Sequence, residues 1–151
     1  MIDRVLREDV LRQVHAHALR EYPHECCGMI LETGEVRECE NAMDRFHAAD
    51  PEAFPRTKAN GYCLDFDDLA FLNESFDRDV QVVAIYHSHP DGAATFSAAD
   101  REAAMPDGVP LYPTLLHVIV AVDVAGVRET RCFGFTEGAY LQLSVWRTAG
   151  A

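Results

Sequence analysis

The sequence predicts an α/β domain built on a mixed sheet. Three observations carry this. Apolar, β-branched runs of strand length alternate along the chain with segments whose apolar residues recur at helical spacing. The chain has 151 residues, 48% hydrophobic and 25% charged, which suits one domain, 1–151, able to bury a core without staples. Its longest apolar runs, such as "LLHVIVAV" (115–122), are too short to cross a bilayer.

Taken in order, residues 3–21 place Val10, Leu11, Val14, Ala18 and Leu19 on one helical face, and Pro23 stops the helix. "CGMILE" (27–32) reads as a buried strand, Gly34 as a turn and "EVRECE" (35–40) as the returning strand. Residues 42–60, with Asp50-Pro51, Pro55 and Asn60-Gly61 at the far end, read as a long loop, a feature that is often functional in a compact domain. "GYCLD" (61–65) is expected as a short strand, and Asp65 as the cap of a helix over 66–76 with Leu69, Leu72 and Phe76 on one face. "VQVVAIYH" (80–87) is a strand, and "SAADREAAM" (97–105) a helix stopped by Pro106. Strands over 115–123 and 127–135 form a hairpin around Ala125-Gly126, and "YLQLSVW" (140–146) alternates like a last strand.

Acidic residues outnumber basic ones 25 to 13, for a net charge of −12. That sign repels phosphate backbones and anionic membranes, so neither is expected as a partner. The five cysteines (Cys26, Cys27, Cys39, Cys63, Cys132) contain no C-x-x-C pair, and "MIDRVLREDV" has no apolar signal region. Free thiols in a reducing cytoplasm are the expectation. In an extended segment the adjacent Cys26 and Cys27 point to opposite faces.

The densest stretch chemically is "YHSHPDGAATFSAAD" (86–100). If the strand runs two residues further, His87 and His89 project from one face with Cα atoms about 6.6 Å apart, close enough to converge on one ion. Two unrelated histidines at a strand end would give the same pattern. The chain also holds His15 and His17, but on a helix, where residues two apart do not face each other; that pair is expected on the solvated surface.

Ser97 and Asp100 have the spacing of a capping box, which explains them without any function. Asp100 nonetheless follows His89 after ten intervening residues, and a capped helix start holds a carboxylate in place. Zinc accepts His nitrogen and Asp oxygen, and its catalytic sites use three protein ligands; His87, His89 and Asp100 fit that count. Glu25, just ahead of the first strand, offers a proton acceptor for water, or is loop surface. Neither the H-x-E and P-C-x-x-C elements of zinc deaminases nor the H-E-x-x-H helix occurs. His117 is expected to be a packed core histidine, His24 and His47 to be solvated, Trp146 to be packing, and Arg56 and Lys58 to lie on a solvated loop.

Glu25, then His87-Ser88-His89-Pro90, six residues, then Ser97-Ala98-Ala99-Asp100, together resemble the JAMM (MPN-plus) metallopeptidases. The "PHECCG" run is similar to their short prokaryotic branch. The resemblance spans nearly the whole chain. It implies a single JAMM/MPN domain: a mixed, mainly antiparallel sheet flanked by helices, of cytidine deaminase-like architecture. It implies zinc held by His87, His89 and Asp100, Glu25 as general base for the attacking water, and Ser97 as oxyanion donor. It further implies hydrolysis of an amide bond after the C-terminal Gly-Gly of a ubiquitin-like or sulfur-carrier protein. A non-catalytic zinc-binding MPN scaffold for ubiquitin-like partners is the alternative.

Overall fold

The computed structural model describes residues 6–147; the expected helix start at residues 3–5 lies outside them. Helical periodicity at the N-terminus becomes α1 (Glu8–Glu21), whose Val10, Leu11, Val14 and Ala18 are buried. The strands are β1 (Cys27–Leu31), β2 (Val36–Cys39), β3 (Val82–His89), β4 (Leu116–Asp123), β5 (Gly126–Thr136) and β6 (Ala139–Arg147). They form one sheet in the order β2-β1-β3-β4-β5-β6. Only β3 and β4 pair in parallel; the other neighbours are antiparallel, giving the expected mixed sheet. Gly34, at φ 92°, makes the β1–β2 turn in the left-handed region that glycine occupies without strain.

Alternation along the strands divides the core. Val10, Val14 and Ala18 of α1 pack on one face, against Cys26, Ile30, Ala84, Tyr86, Val118 and Val120. On the other face Cys27, Met29, Val82 and Ile85 pack with Leu72 of α3 (Phe66–Ser75). Cys26 and Cys27 therefore do enter opposite faces, and all five cysteines are free. Among the described residues no helix is long and apolar enough to cross a membrane.

Four expectations fail locally. The segment 42–60 holds a helix, α2 (Met43–Ala49), with no buried residue. Its order comes from tertiary contacts, the Phe46 ring lying 5.1 Å from Phe54 and 5.5 Å from Phe66, so no apolar stripe announces it. Residues 61–65 make a single bridge, Asn41 to Leu64, in place of a strand; the Asn41 side chain takes up the nearby backbone groups that a ladder would use. Leu19 and Leu69 are 50% and 38% exposed, because each sits at the rim of its helix's packed face. His15 and His17 are not solvated. α1 lies so deep on the sheet that both of its flanks are covered: His17 is buried with Nδ1 2.8 Å from the Tyr86 hydroxyl, and His15 Nε2 lies 2.7 Å from the Thr130 hydroxyl under the ring of Trp146. Tyr86 fits there because Gly28 has no Cβ; one would run into its ring.

Candidate metal centre

β3 extends through His89, so His87 and His89 point to the same face while Ser88 points to the other. Ser88 locks this strand end: its Oγ accepts from the Cys26 N–H (2.8 Å), and its own N–H donates to the Cys26 carbonyl (3.1 Å). This ties β3 to the chain one residue after Glu25. The two Nε2 atoms are 3.0 Å apart. Asp100 closes the group, with Oδ1 3.1 Å from His87 Nε2 and Oδ2 3.2 Å from His89 Nε2.

Asp100 is placed by α4 (Ala98–Ala104), which starts with a full capping box: the Asp100 N–H donates to Ser97 Oγ and the Ser97 N–H to Asp100 Oδ2, both at 3.0 Å. One carboxylate thus both caps the helix and reaches both imidazoles. Burial alone would raise the Asp100 carboxyl; its hydrogen bonds with His87 and His89 overcome this and hold it far below the usual carboxylate range. Burial lowers the His87 imidazole. At His89 burial also favours the neutral ring, but the hydrogen bond to Asp100 and its charge outweigh it and the net shift is upward.

The donor chemistry suits a divalent metal. His89 Nδ1 lies 2.8 Å from the Ala93 carbonyl, which can only accept; Nδ1 must carry a proton, so Nε2 donates to Asp100 when the ring is charged and turns its lone pair to the centre when the ring is neutral. Ligands of a tetrahedral zinc at 2.0–2.1 Å stand about 3.3 Å apart, close to the 3.0, 3.1 and 3.2 Å found here. Glu25 joins as a second carboxylate: ligand atoms of Glu25, His87 and His89 all lie within 4.8 Å of one another.

Glu25 is not loop surface. It is 7% exposed, and burial, only partly offset by the charge of His89, pushes its carboxyl up to about 7. Its backbone is pinned on both sides, its N–H donating to the Lys58 carbonyl (2.8 Å) and its carbonyl accepting from Asn41 Nδ2 (2.9 Å). Buried Asn41 uses its whole amide: Nδ2 also donates to the Gly61 carbonyl, and Oδ1 accepts from the Met43 and Cys63 N–H groups. Neither Asn41 nor Tyr62, whose ring stacks on His87 at 4.4 Å, stood out in the sequence; a polar residue two positions past β2 was the only available signal. The adjacent thiols are not nucleophiles, since burial pushes Cys26 up to about 12 and Cys27 higher still.

The group opens into a cleft of about 400 Å³ lined by Glu25, Arg56, Tyr62, His89, Ser97 and Asp100, among others. His117 is a packed histidine, as expected, between the rings of Phe96 and Tyr140. His24 is exposed. His47 is instead half-buried, because its Nδ1 meets the Phe54 carbonyl at 2.7 Å. Arg56 is exposed but lines the cleft, and Lys58 is half-buried, its carbonyl accepting from the Glu25 N–H.

Residues 7–133 match the family of prokaryotic homologues of the JAB domain, and the chain belongs to that family. It is 29% identical over 103 residues to the tail tip assembly protein K of Escherichia phage N15, covering 64% of this chain. The match spans about a third (34%) of that relative's length. Two solution structures share the fold. One, of a Desulfitobacterium hafniense protein, has a TM-score of 0.63 at 16% identity and covers 91% of this chain and 87% of its own. The other, of a Salinibacter ruber protein, has a TM-score of 0.56 at 23% identity and covers 95% and 91%.

Proposed function

We propose that the chain is a zinc-dependent peptidase that hydrolyses an amide bond after the C-terminal Gly-Gly of a ubiquitin-like or sulfur-carrier protein. The observation that carries the hydrolase reading is the convergence of His87, His89 and Asp100, with His89, Asp100 and a desolvated Glu25 lining one cleft and His87 buried behind them. His87, His89 and Asp100 would hold the zinc. When bound, zinc supplies Lewis acidity that polarises the scissile carbonyl and brings the pKa of water to about 7.

The protein's own groups do the rest. Glu25, pushed up to about 7, is matched to taking one proton from the attacking water near neutral pH and returning it to the leaving nitrogen. The C–N bond breaks as the water oxygen bonds the carbonyl carbon, releasing a carboxylic acid and an amine. Ser97 Oγ accepts from the Asp100 N–H, so its own proton is left to donate to the developing oxyanion. Ser88 and Asn41 position β3 and Glu25. The Gly-Gly specificity is supported by family membership, and an extended tail of that kind suits pairing along a sheet edge.

The phage relative supports a second reading, in which the same site cuts a structural protein during tail tip assembly. Metal analysis coupled to a cleavage screen tests both, using Gly-Gly-terminated ubiquitin-like fusions beside tail tip proteins. Stoichiometric zinc with cleavage of the fusions supports the first reading, and cleavage of tail proteins alone supports the second. Zinc without hydrolysis of either leaves the chain a binding scaffold.

A further inference from the structure

Arg56 is the one Arg or Lys lining the cleft among the described residues; the other charged walls are Glu25, Asp91 and Asp100. Elsewhere the arginines are engaged: Arg37 with Asp68, Arg45 with Glu40 and Asp65, Arg131 and Arg147 with Glu129, and Arg101 over the Phe96 ring. Arg56 makes no salt bridge and no aromatic contact among the described residues, though its charge is felt at Glu25. It is held all the same. Its Nη1 donates to the Asn60 carbonyl at 2.8 Å, within a turn closed by the Asn60 N–H to the Thr57 carbonyl and the Thr57 N–H to Asn60 Oδ1. Gly61 makes room for the stem, since a Cβ there would meet Arg56 Cβ and Cδ at 3.1 Å. The turn is tied to Glu25 through the bond from the Glu25 N–H to the Lys58 carbonyl, and to α2 through the Lys58 N–H and Asp44 Oδ1. A guanidinium is thus fixed on the wall of an acidic cleft, with donors of its planar fork unused.

We propose that Arg56 is a specificity residue that receives the α-carboxylate of the residue released from the Gly-Gly tail. The proposal rests on the hydrolase reading above. A free amino acid joined through its nitrogen carries its carboxylate two bonds from the scissile nitrogen, inside this cleft. A lysine side chain of a second protein, joined through its ε-amine, brings no carboxylate there. With zinc and its ligand Asp100 offsetting each other, Glu25 and Asp91 remain as acidic groups on the cleft wall, and Arg56 is the one Arg or Lys there that can donate to a substrate carboxylate held away from the metal. The guanidinium fork matches a carboxylate with two parallel hydrogen bonds, and its single charge balances a single negative charge. The enzyme would therefore favour tails ending Gly-Gly-Xaa with a free terminus over side-chain-linked conjugates.

The test measures binding as well as turnover. Zinc-loaded full chain carrying Glu25→Gln, to suppress cleavage, is titrated calorimetrically with a peptide ending Gly-Gly-Ala as the free acid and as the C-terminal amide. A third peptide, also an amide, places a glutamate three residues before the Gly-Gly. With Arg56 present the free acid should bind roughly 10- to 100-fold tighter than the amide. Adding Arg56→Gln should equalise the two, and Arg56→Lys should keep part of the preference. Equal or absent binding of acid and amide, or a preference that survives Arg56→Gln, overturns the proposal. So does an Arg56-dependent gain that follows the internal glutamate. Failure of the unsubstituted enzyme to cut any Gly-Gly peptide would defeat the hydrolase reading, while the binding comparison judges Arg56 by itself.

Discussion

Substituting Glu25 by Gln should separate what this carboxyl does for the chemistry from what it does to the fold. In the folded protein burial pushes the carboxyl up to about 7, against an ordinary value of 4.5. That gap, at about 1.4 kcal/mol per pH unit, corresponds to roughly 3 kcal/mol. The direction follows from the proton count. Below 4.5 Glu25 is protonated folded and unfolded, and its contribution is fully present. As the pH rises from 4.5 to about 7 the unfolded chain ionises first, and stability is lost; above that the whole penalty is in place. Glutamine does not titrate, so metal-free Glu25→Gln should be the more stable protein at pH 8, by up to about 3 kcal/mol, or roughly 6–12 °C in Tm for a chain of this size. The advantage should shrink towards zero near pH 4.5. Urea unfolding of both proteins in chelator across that range measures it. The same variant, loaded with zinc, should lose hydrolysis by about 10²–10⁴-fold, and with it the acidic limb of the pH–rate profile, where activity rises as Glu25 deprotonates. A stability difference that does not change with pH, or a variant less stable at pH 8, would refute the desolvation argument. Loss of zinc together with activity would make Glu25 a ligand and leave Asp100 as a cap alone.

Four further outcomes follow from the same geometry. His89→Ala or Asp100→Ala should abolish stoichiometric zinc by metal analysis, whereas His15→Ala with His17→Ala should keep it while losing about 1 kcal/mol for each hydrogen bond. Ser97→Ala should retain zinc, lower kcat and cost about 1 kcal/mol from the missing helix cap; a fall in Tm with unchanged turnover would make Ser97 a cap only. Gly28→Ala drives a methyl into the Tyr86 ring and should cost about 1–3 kcal/mol or prevent folding, read by thermal unfolding. Burial pushes His15 down to about 4 from 6.5. Its neutral form is what the fold accepts, so stability should be complete above pH 6.5 and fall by about 1–2 kcal/mol, after solvent screening, on acidification towards pH 4. His15→Gln should flatten that segment of the stability curve.

The local pattern of the chain was enough to determine a good deal. Strands, the helix capped by Asp65 and the Ala125-Gly126 hairpin are legible because side-chain periodicity and turn chemistry act within a few residues. His87 and His89 share a face for the same reason: a strand repeats every two residues. The Ser97–Asp100 capping box is equally local, and four motif positions at fixed spacing, with Glu25 upstream, pointed to the family.

What only the tertiary structure decided depends on segments meeting across the sheet. The depth of α1 converts His15 and His17 from expected surface into packed residues, since spacing along a helix does not reveal how far its flanks are covered. α2 has no buried stripe and is ordered by Phe54 and Phe66. Asn41 matters only because the Glu25 segment, the start of α2 and the 61–63 segment converge on one amide. The elevation of Glu25 and the position of Arg56 on the cleft wall are likewise properties of the assembled site. Hydrogen bonds, desolvation and charge act over ångströms of space, and only the folded chain sets those distances.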